Sequence, residues 1–320
     1  MILIRTSKAT TCLAVGLITL SLSCFARSEQ APKPLHVGYS IAVTSITSEK
    51  MKYAKSVGID CIEIGPGALI DKKTGSLAQS DEACMRLVAN AKKAADDAGI
   101  EIWSVHMPFG EKIDISLGDE AERQRVMALH KKLLGFYRVL KPKIVLFHPS
   151  WFLGLNEREL RKSQMVKSAL ELNKVVKRMK AKMVIENMLG PTLLRDAARE
   201  RPLCRTVEET VEIMNRLPSD IYSAVDMNHI KNPEKLIAAM GERLKTVHVS
   251  DGNGEAECHY LPCSGKGKND WNAIFSALQG AHYTGPFLYE SKYKDVKELP
   301  DCYRLLYNNF IAVKYPEAIK

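Results

Sequence analysis

Short apolar runs alternate with longer stretches in which apolar residues recur every three or four positions, and this alternation repeats eight times along the chain. The short runs predict strands over Leu35–Val43, Cys61–Gly65, Ile100–Met107, Lys143–His148, Met183–Asn187, Ile221–Asp226, Lys245–Ser250 and Pro286–Glu290. The longer stretches predict helices over Thr47–Val57, which stops at Gly58, and over Asp81–Ala98, which Ser80 caps and Gly99 ends. Further helices are expected over Asp119–Leu140, Glu157–Lys180, Val207–Leu217, Pro233–Met240, Trp271–Leu278 and Val296–Val313.

Eight strand-then-helix units in roughly 290 residues have the count and length of a (β/α)8 TIM barrel, an α/β fold in one domain. A doubly wound open sheet is the alternative, but Gly38-Tyr39-Ser40 after the first strand lacks the glycine fingerprint of that fold. A barrel makes a further demand on the sequence. Its catalytic groups belong at the C-terminal ends of the strands, where the eight loops meet on one face.

Ionisable residues do gather there. The third strand ends at His106, the fourth at His148, the fifth at Glu186, the sixth at Asp226 with His229 close behind, the seventh carries His248 and Asp251, and the eighth ends at Glu290. Ionisable residues at the ends of apolar strands are costly to bury alone, so their repetition points to a divalent cation that compensates several at once. Glu186 and Glu290 stand at matching heights on two strands, and Asp226 and His229 share a D-x-x-H spacing that turns both toward one cavity. With His248 they form a one-histidine, three-carboxylate set suited to Mn, Mg, Co or Zn. His106 and His148 are followed at once or nearly so by proline, which ends the strand and turns the imidazole to the loop face, as substrate donors, further ligands or packed histidines. Among the aromatic residues, Trp103, Trp151 and Phe152 are able to stack on a sugar ring, and Trp151-Phe152, just after His148, is the better placed. His36, His130 and His282 have no such setting and read as structural or surface residues, and Trp271 reads as a helix start packed on the barrel.

Composition adds the cellular frame. A chain of 320 residues, 46% hydrophobic and 26% charged, buries a full core with no linker to divide it. Arg5 and Lys8 precede an apolar run from Cys12 to Phe25 that ends in Cys24-Phe25-Ala26, which reads as an export signal over residues 1–26 with cleavage after Ala26. A lipoprotein signal with Cys24 acylated is the alternative; the run is too short for a membrane span. Residues 27–34 then form a short linker and 35–320 the barrel, and the protein is expected in the periplasm. Losing Arg5 and Lys8 lowers the formal charge from +9 to +7, spread over helical faces rather than gathered into the basic, aromatic-interleaved strip that would track nucleic acid. Six cysteines remain beyond Ala26 without regular spacing; Cys258 and Cys263, in one loop, are the first pair to expect, while Cys61 reads as core.

Taken in order, His106-Met107-Pro108, Phe147-His148-Pro149-Ser150, Ile185-Glu186-Asn187, Asp226-Met227-Asn228-His229, His248-Val249-Ser250-Asp251, Glu257-Cys258-His259 with Gly265-Lys266-Gly267, and Tyr289-Glu290-Ser291 resemble the xylose isomerase-like TIM-barrel superfamily. The resemblance covers nearly the whole mature chain and rests on the joint order of these motifs. Its isomerase and epimerase branch implies a divalent metal on Glu186, Asp226, His248 and Glu290, with Glu186 and Glu290 moving a proton on either side of a sugar through a metal-stabilised enediolate. In that branch His106, His148, His229 and His259, with Trp151, would border a small-molecule sugar, and Lys266 or Lys268 would meet an anionic group. A keto-sugar lyase or hydratase would use the same site. The apurinic-endonuclease branch implies more metals on His106, His148, His229 and His259, but Glu257 stands where it has Asp, and an exported protein meets no genomic DNA. A sugar-binding protein without catalysis would not need both Glu186 and Glu290.

Overall fold

Eight short strands, all parallel, hydrogen-bond side by side, and each owes its form to a run of buried apolar residues between polar loops. They are β1 (Val37–Ala42), β2 (Cys61–Gly65), β3 (Glu101–His106), β4 (Ile144–Phe147), β5 (Lys182–Glu186), β6 (Ile221–Asp226), β7 (Leu244–His248) and β8 (Phe287–Tyr289). Their lateral order is β7-β6-β5-β4-β3-β2-β1-β8, and the ring closes where Val249 bridges Tyr289: Val249 donates to the Leu288 carbonyl at 2.7 Å and accepts from Glu290 N at 3.0 Å. This is the expected (β/α)8 barrel, seen in a computed structural model that describes residues 30–318. The proposed export signal, its cleavage site and Cys24 lie outside the described residues, and the barrel belongs to a unit that runs from Pro32.

Helices α1 (Ser48–Ser56), α2 (Asp81–Ala98), α3 (Glu120–Tyr137), α4 (Arg158–Arg178), α5 (Val207–Asn215), α6 (Pro233–Met240), α7 (Trp271–Gly280) and α8 (Glu298–Lys314) follow the eight strands in turn. Their starts are chemical. The side chains of Thr47, Ser80, Asp119, Thr206 and Asp270 each accept from the backbone N–H three residues on, satisfying an otherwise orphaned donor. At the far end of α2, Gly99 adopts φ 66°, the left-handed turn that the glycine was expected to supply. The last turn of the predicted third helix tightens into a 3-10 turn, Arg138–Leu140. Among the described residues no helix is long and apolar enough to cross a membrane.

The inside of the barrel is layered. Ile144, Leu146, Val184 and Ala224 form an apolar cluster against which Trp103 and Tyr222 pack, and the Trp103 indole donates to Thr246 Oγ1 at 3.3 Å. Trp103 is therefore part of the barrel's packing, and the sugar-stacking role open to it from sequence falls away, because the third residue of β3 lies well short of the loop face. Toward the C-terminal ends of the strands the interior turns polar. Two short ribbons decorate that face: Ile70–Asp71 with Ser76–Leu77, and Leu153–Gly154 with Arg199–Glu200.

One covalent link corrects the sequence reading. Cys263 is bonded to Cys302 on α8, and Cys258, its expected partner, is free. The reason is the course of the loop after β7. Asn228 Oδ1 accepts from the backbone N–H of Cys258 and His259 at 3.2 and 3.1 Å, holding that part against the strand ends, while Cys263 sits in the turn Pro262–Ser264 that meets α8.

His130 on α3 is buried, with its Nε2 3.1 Å from the Ile113 carbonyl and its ring 5.6 Å from that of Phe147. Burial pushes its imidazole down from 6.5 to about 4, partly offset by the carbonyl. The unfolded chain takes up this proton first, so the stability contributed by neutral His130 is complete above pH 6.5 and drains as pH falls toward 4. His130→Gln, which keeps a donor for Ile113, is expected to flatten the acid limb of stability over that interval by about 3 kcal/mol, read by urea denaturation. An acid limb as steep as that of the wild type contradicts the assignment.

Candidate active site

Strand register brings the predicted residues together at the C-terminal end of the barrel. Asp226 on β6 pairs with His248 on β7, Glu186 on β5 pairs with Ala224 two residues below Asp226, and His148 follows the Phe147 that pairs with Ile185. Glu290 follows β8 directly.

His248 is the hub. Its ring is fully buried, with Nδ1 2.8 Å from Glu186 Oε1, 2.8 Å from Glu290 Oε2 and 3.9 Å from Asp226 Oδ2. On the other side of the ring, Nε2 lies 2.9 Å from Glu63 Oε1, an ion-pair contact, and Ser104 donates to the second oxygen of Glu63 at 2.8 Å. The second oxygen of Glu186 faces His148 Nε2 at 3.2 Å and His106 Nε2 at 3.5 Å. One strand-end carboxylate thus touches three imidazoles.

Three of the histidines are oriented by groups that only accept. Nδ1 of His106 donates to the Met107 carbonyl at 2.8 Å, Nδ1 of His229 to the Asn187 carbonyl at 3.0 Å, and Nδ1 of His259 to the Glu290 carbonyl at 2.8 Å. Each ring therefore turns Nε2 toward carboxylates, the arrangement that backing groups give to metal-ligating histidines. His229 Nε2 faces Glu257 Oε2 at 3.3 Å and Asp226 Oδ2 at 3.7 Å, while His259 Nε2 meets Glu257 Oε2 at 2.8 Å.

Without a cation the cluster neutralises itself with protons. Burial opposes charge on His248, but Glu63, Glu290 and Glu186 outweigh it and hold the imidazolium well above the usual histidine range. Burial likewise opposes ionisation of Glu186 and Glu290, yet His248 prevails in both, and Glu290 falls to about 2. Against burial, Asp226 and Glu257 lift His229 to about 10, and Glu257 and Asp226 lift His259 to about 9. Burial raises Asp226 itself to about 6, partly offset by His229. Burial lowers His148 despite Glu186, whereas at His106 Glu186 and Glu63 overcome burial and raise it.

These residues fit a divalent cation. Ligand atoms of Glu186, Asp226, His248 and Glu290 all lie within 4.8 Å of one another, and the buried Glu186 Oε2 and Asp226 Oδ2 have no hydrogen-bond partner. A cation would replace the protons on the imidazoles and satisfy the orphaned oxygens together. Asp226, His229 and His259 form a second such group and His106, Glu186 and His248 a third, so the centre has donors for more than one ion.

The loop carrying Glu257 and His259 is pinned. Asp251 Oδ1 accepts from the backbone N–H of Gly252, Lys268 and Asn269 at 2.8, 3.0 and 3.1 Å, and Trp271 Nε1 donates to its other oxygen at 3.1 Å. A Cβ on Gly267 would fall 1.9 Å from the Asp251 carboxylate, and one on Gly252 would fall 2.2 Å from Asn228 Oδ1, so both glycines are required by close approach. The Gly265-Lys266-Gly267 turn is therefore a closure for the loop. Asp251, read from sequence among the strand-end groups, holds backbone.

A cavity of about 290 Å³ opens over the centre, and His148, Trp151, His229, His259 and Glu290 all border it. His106 sits deeper, its ring 5.4 Å from that of Phe109, which also borders the cavity and stacks 4.0 Å from His148. Lys266 does not border this cavity; it lies over the Tyr260 ring at 5.9 Å in a separate surface hollow. Sequence reasoning passed over Glu63, although a lone carboxylate between Ile62 and Ile64 inside a buried strand was a usable signal. It named Asn187 within a motif but gave it no role; its amide brackets Asp226 by accepting from its N–H at 2.8 Å and donating to its carbonyl at 3.1 Å.

Glu63→Gln tests the hub. Loss of this backing carboxylate is expected to weaken Mn2+ binding 10- to 100-fold, measured by competition with a chelating indicator. An affinity equal to that of the wild type would contradict the role of Glu63 behind His248.

The family model described as a xylose isomerase-like TIM barrel matches residues 51–306. Among solved structures, the chain resembles the apo form of the 3-keto-D-glucoside 4-epimerase YcjR from E. coli, with TM-score 0.63 and 17% identity over 86% of this chain and 99% of that one. It also resembles a D-tagatose 3-epimerase-like protein, with TM-score 0.67 and 19% identity over 87% and 100%. A third likeness is to a D-allulose 3-epimerase from Methylomonas sp. in complex with D-allulose, with TM-score 0.64 and 18% identity over 90% and 100%. Curated protein sequences give no match. At such identities the structural likeness speaks for the fold alone, but the family match spans most of the chain: it belongs to the xylose isomerase-like TIM barrel family.

Proposed function

We propose that this protein is a divalent-metal-dependent isomerase or epimerase that moves a proton beside the carbonyl of a small sugar. The observation that carries the reading is the convergence of Glu186 and Glu290, each 2.8 Å from His248 Nδ1, beneath a cavity bordered by Trp151, Phe152 and Phe109. Glu186, Asp226, His248 and Glu290 would hold the cation, which when bound supplies the Lewis acidity that makes a C–H beside a carbonyl acidic. The chain's own residues do the rest. Glu290 borders the cavity and is a third exposed, so it meets the sugar first; both glutamates are held ionised, ready to accept a proton. Glu186, reaching up from β5 and first protonated from solvent, would deliver a proton to the opposite face, while Glu290 would lose the one it took to solvent before the next turnover; Trp151 and Phe152 would lie against the sugar ring, and His148 and His229 would hold hydroxyls.

The reading is supported by the epimerases among the structures that share the fold, and the proposed periplasmic location by the Cys263–Cys302 disulfide. A keto-sugar lyase or hydratase shares the proton-abstraction step. Metal-dependent phosphodiester hydrolysis is the second reading, favoured by one observation: Asp226, His229 and His259, with Glu257 against both imidazoles, offer a second cation site.

Glu186→Gln and Glu290→Gln are each expected to lower kcat on a responsive keto sugar at least 100-fold, with deuterium from solvent entering the sugar beside its carbonyl in the wild type. Full turnover in both variants would contradict the two-carboxylate mechanism. Cleavage of an abasic-site oligonucleotide without deuterium exchange would favour hydrolysis.

A further inference from the structure

The segment between β5 and α5 brings unpaired positive charge into the cavity. Residues 193–201 fold back on themselves: Arg195 N donates to the Arg199 carbonyl at 2.8 Å and Arg201 N to the Leu193 carbonyl at 2.9 Å, while Arg199–Glu200 pairs with Leu153–Gly154. This fold-back places both Arg195 and Arg201 on the cavity wall, beside Trp151, Phe152 and His148.

The acids of the segment, and Glu209 in the first turn of α5, are already committed. Asp196 pairs with Arg199 at 2.7 Å, Glu200 with Arg158 at 3.0 Å and Glu209 with Arg158 at 2.6 Å. The two carboxylates that border the cavity are matched by histidines, Glu290 by His248 and Glu257 by His229 and His259. Among the described residues, neither Arg195 nor Arg201 has an ion pair or a side-chain hydrogen bond. Arg195 is stacked on the Phe152 ring, its Cζ 4.7 Å from the centroid. Arg201 lies flat against the backbone at Gly190, where a Cβ would fall 2.7 Å from Nε, and that Nε is buried with no partner.

A buried guanidinium N–H without an acceptor is costly, as at Arg201, and the exposed Arg195 leaves a second positive charge on the same wall to be screened by solvent. The planar fork of arginine matches the two oxygens of a carboxylate or phosphate, and a ligand oxyanion would answer both at once. We propose that Arg195 and Arg201 are specificity-determining residues that select a sugar bearing an oxyanion, a carboxylate or a phosphate ester. The inference rests on the reading of this cavity as a sugar site. It moves the anion contact expected at Lys266 or Lys268 to the arginines: Lys266 lies outside the cavity, and Lys268 does not border it.

The test is direct binding, by isothermal titration of the Mn2+-loaded protein with fructose, fructose 6-phosphate and fructuronate, probes that differ at the terminal carbon. At least one acidic sugar is expected to bind ten times or more tighter than fructose, with a preference that shrinks as salt is raised. Preference for the phosphate ester or for the carboxylate identifies which oxyanion the site takes. Arg195→Gln and Arg201→Gln are each expected to cut the acidic-to-neutral ratio at least fivefold, and Arg201→Lys, which keeps the charge, to retain part of it. Equal affinity for the three sugars, no binding of any of them, or Gln variants that weaken all three alike would overturn the proposal. Binding needs no turnover, so an intact anion preference without deuterium exchange would overturn the proton-transfer reading alone. Exchange on fructose with no anion preference would overturn this one alone.

Discussion

Four carboxylates, Glu63, Glu186, Asp226 and Glu290, converge on the two nitrogens of His248 where the barrel opens to its loops, and that concentration of negative charge orders the site around it. Three of them are buried, and burying carboxylates is tolerable only with positive charge or hydrogen bonds at hand. The protein meets the demand in layers. Imidazoles take up protons in the cation-free cluster, Ser104 and Asn187 hold individual oxygens and backbone in place, and the remaining orphaned oxygens face the space a divalent ion would fill. A site that must charge its own histidines to hold together is preorganised for a cation, which would displace those protons without rearranging the carboxylates.

The surrounding structure serves this arrangement. Parallel register gathers the carboxylates at the same end of the barrel, and the closure at Val249 keeps β7 and β8 side by side so that His248 and Glu290 meet. Asp251 and Asn228 spend their side chains on backbone N–H groups of a single loop, which puts Glu257 and His259 against His229. The loops then divide the labour: aromatic residues after β4 form one wall of the cavity, and the arginines after β5 add positive charge to it.

Strand and helix positions were legible because apolar periodicity is a local signal, and every predicted strand overlaps an observed one. Glu186, Asp226, His248 and Glu290 were legible for a related reason: an ionisable residue at the end of an apolar strand has few innocuous explanations. What escaped depends on neighbours distant in sequence. Glu63 reads as one acid in a strand until His248, 185 positions on by residue number, is seen beside it. Arg201 stands out by a buried, unpartnered Nε on a residue that borders the cavity, which no sequence pattern records. Cys263 joins Cys302 because α8 packs against the turn at Pro262, a tertiary contact that spacing alone cannot convey.

The central claim is that the buried carboxylates around His248 exist to hold a divalent cation. Anomalous diffraction from crystals grown with Mn2+ tests it most directly. The account predicts a manganese peak bonded to His248 Nδ1 and to oxygens of Glu186, Asp226 and Glu290, with Glu63 still behind the ring. A structure at the same Mn2+ concentration with no peak there, and with His248 Nδ1 still contacting Glu186 and Glu290, would contradict it.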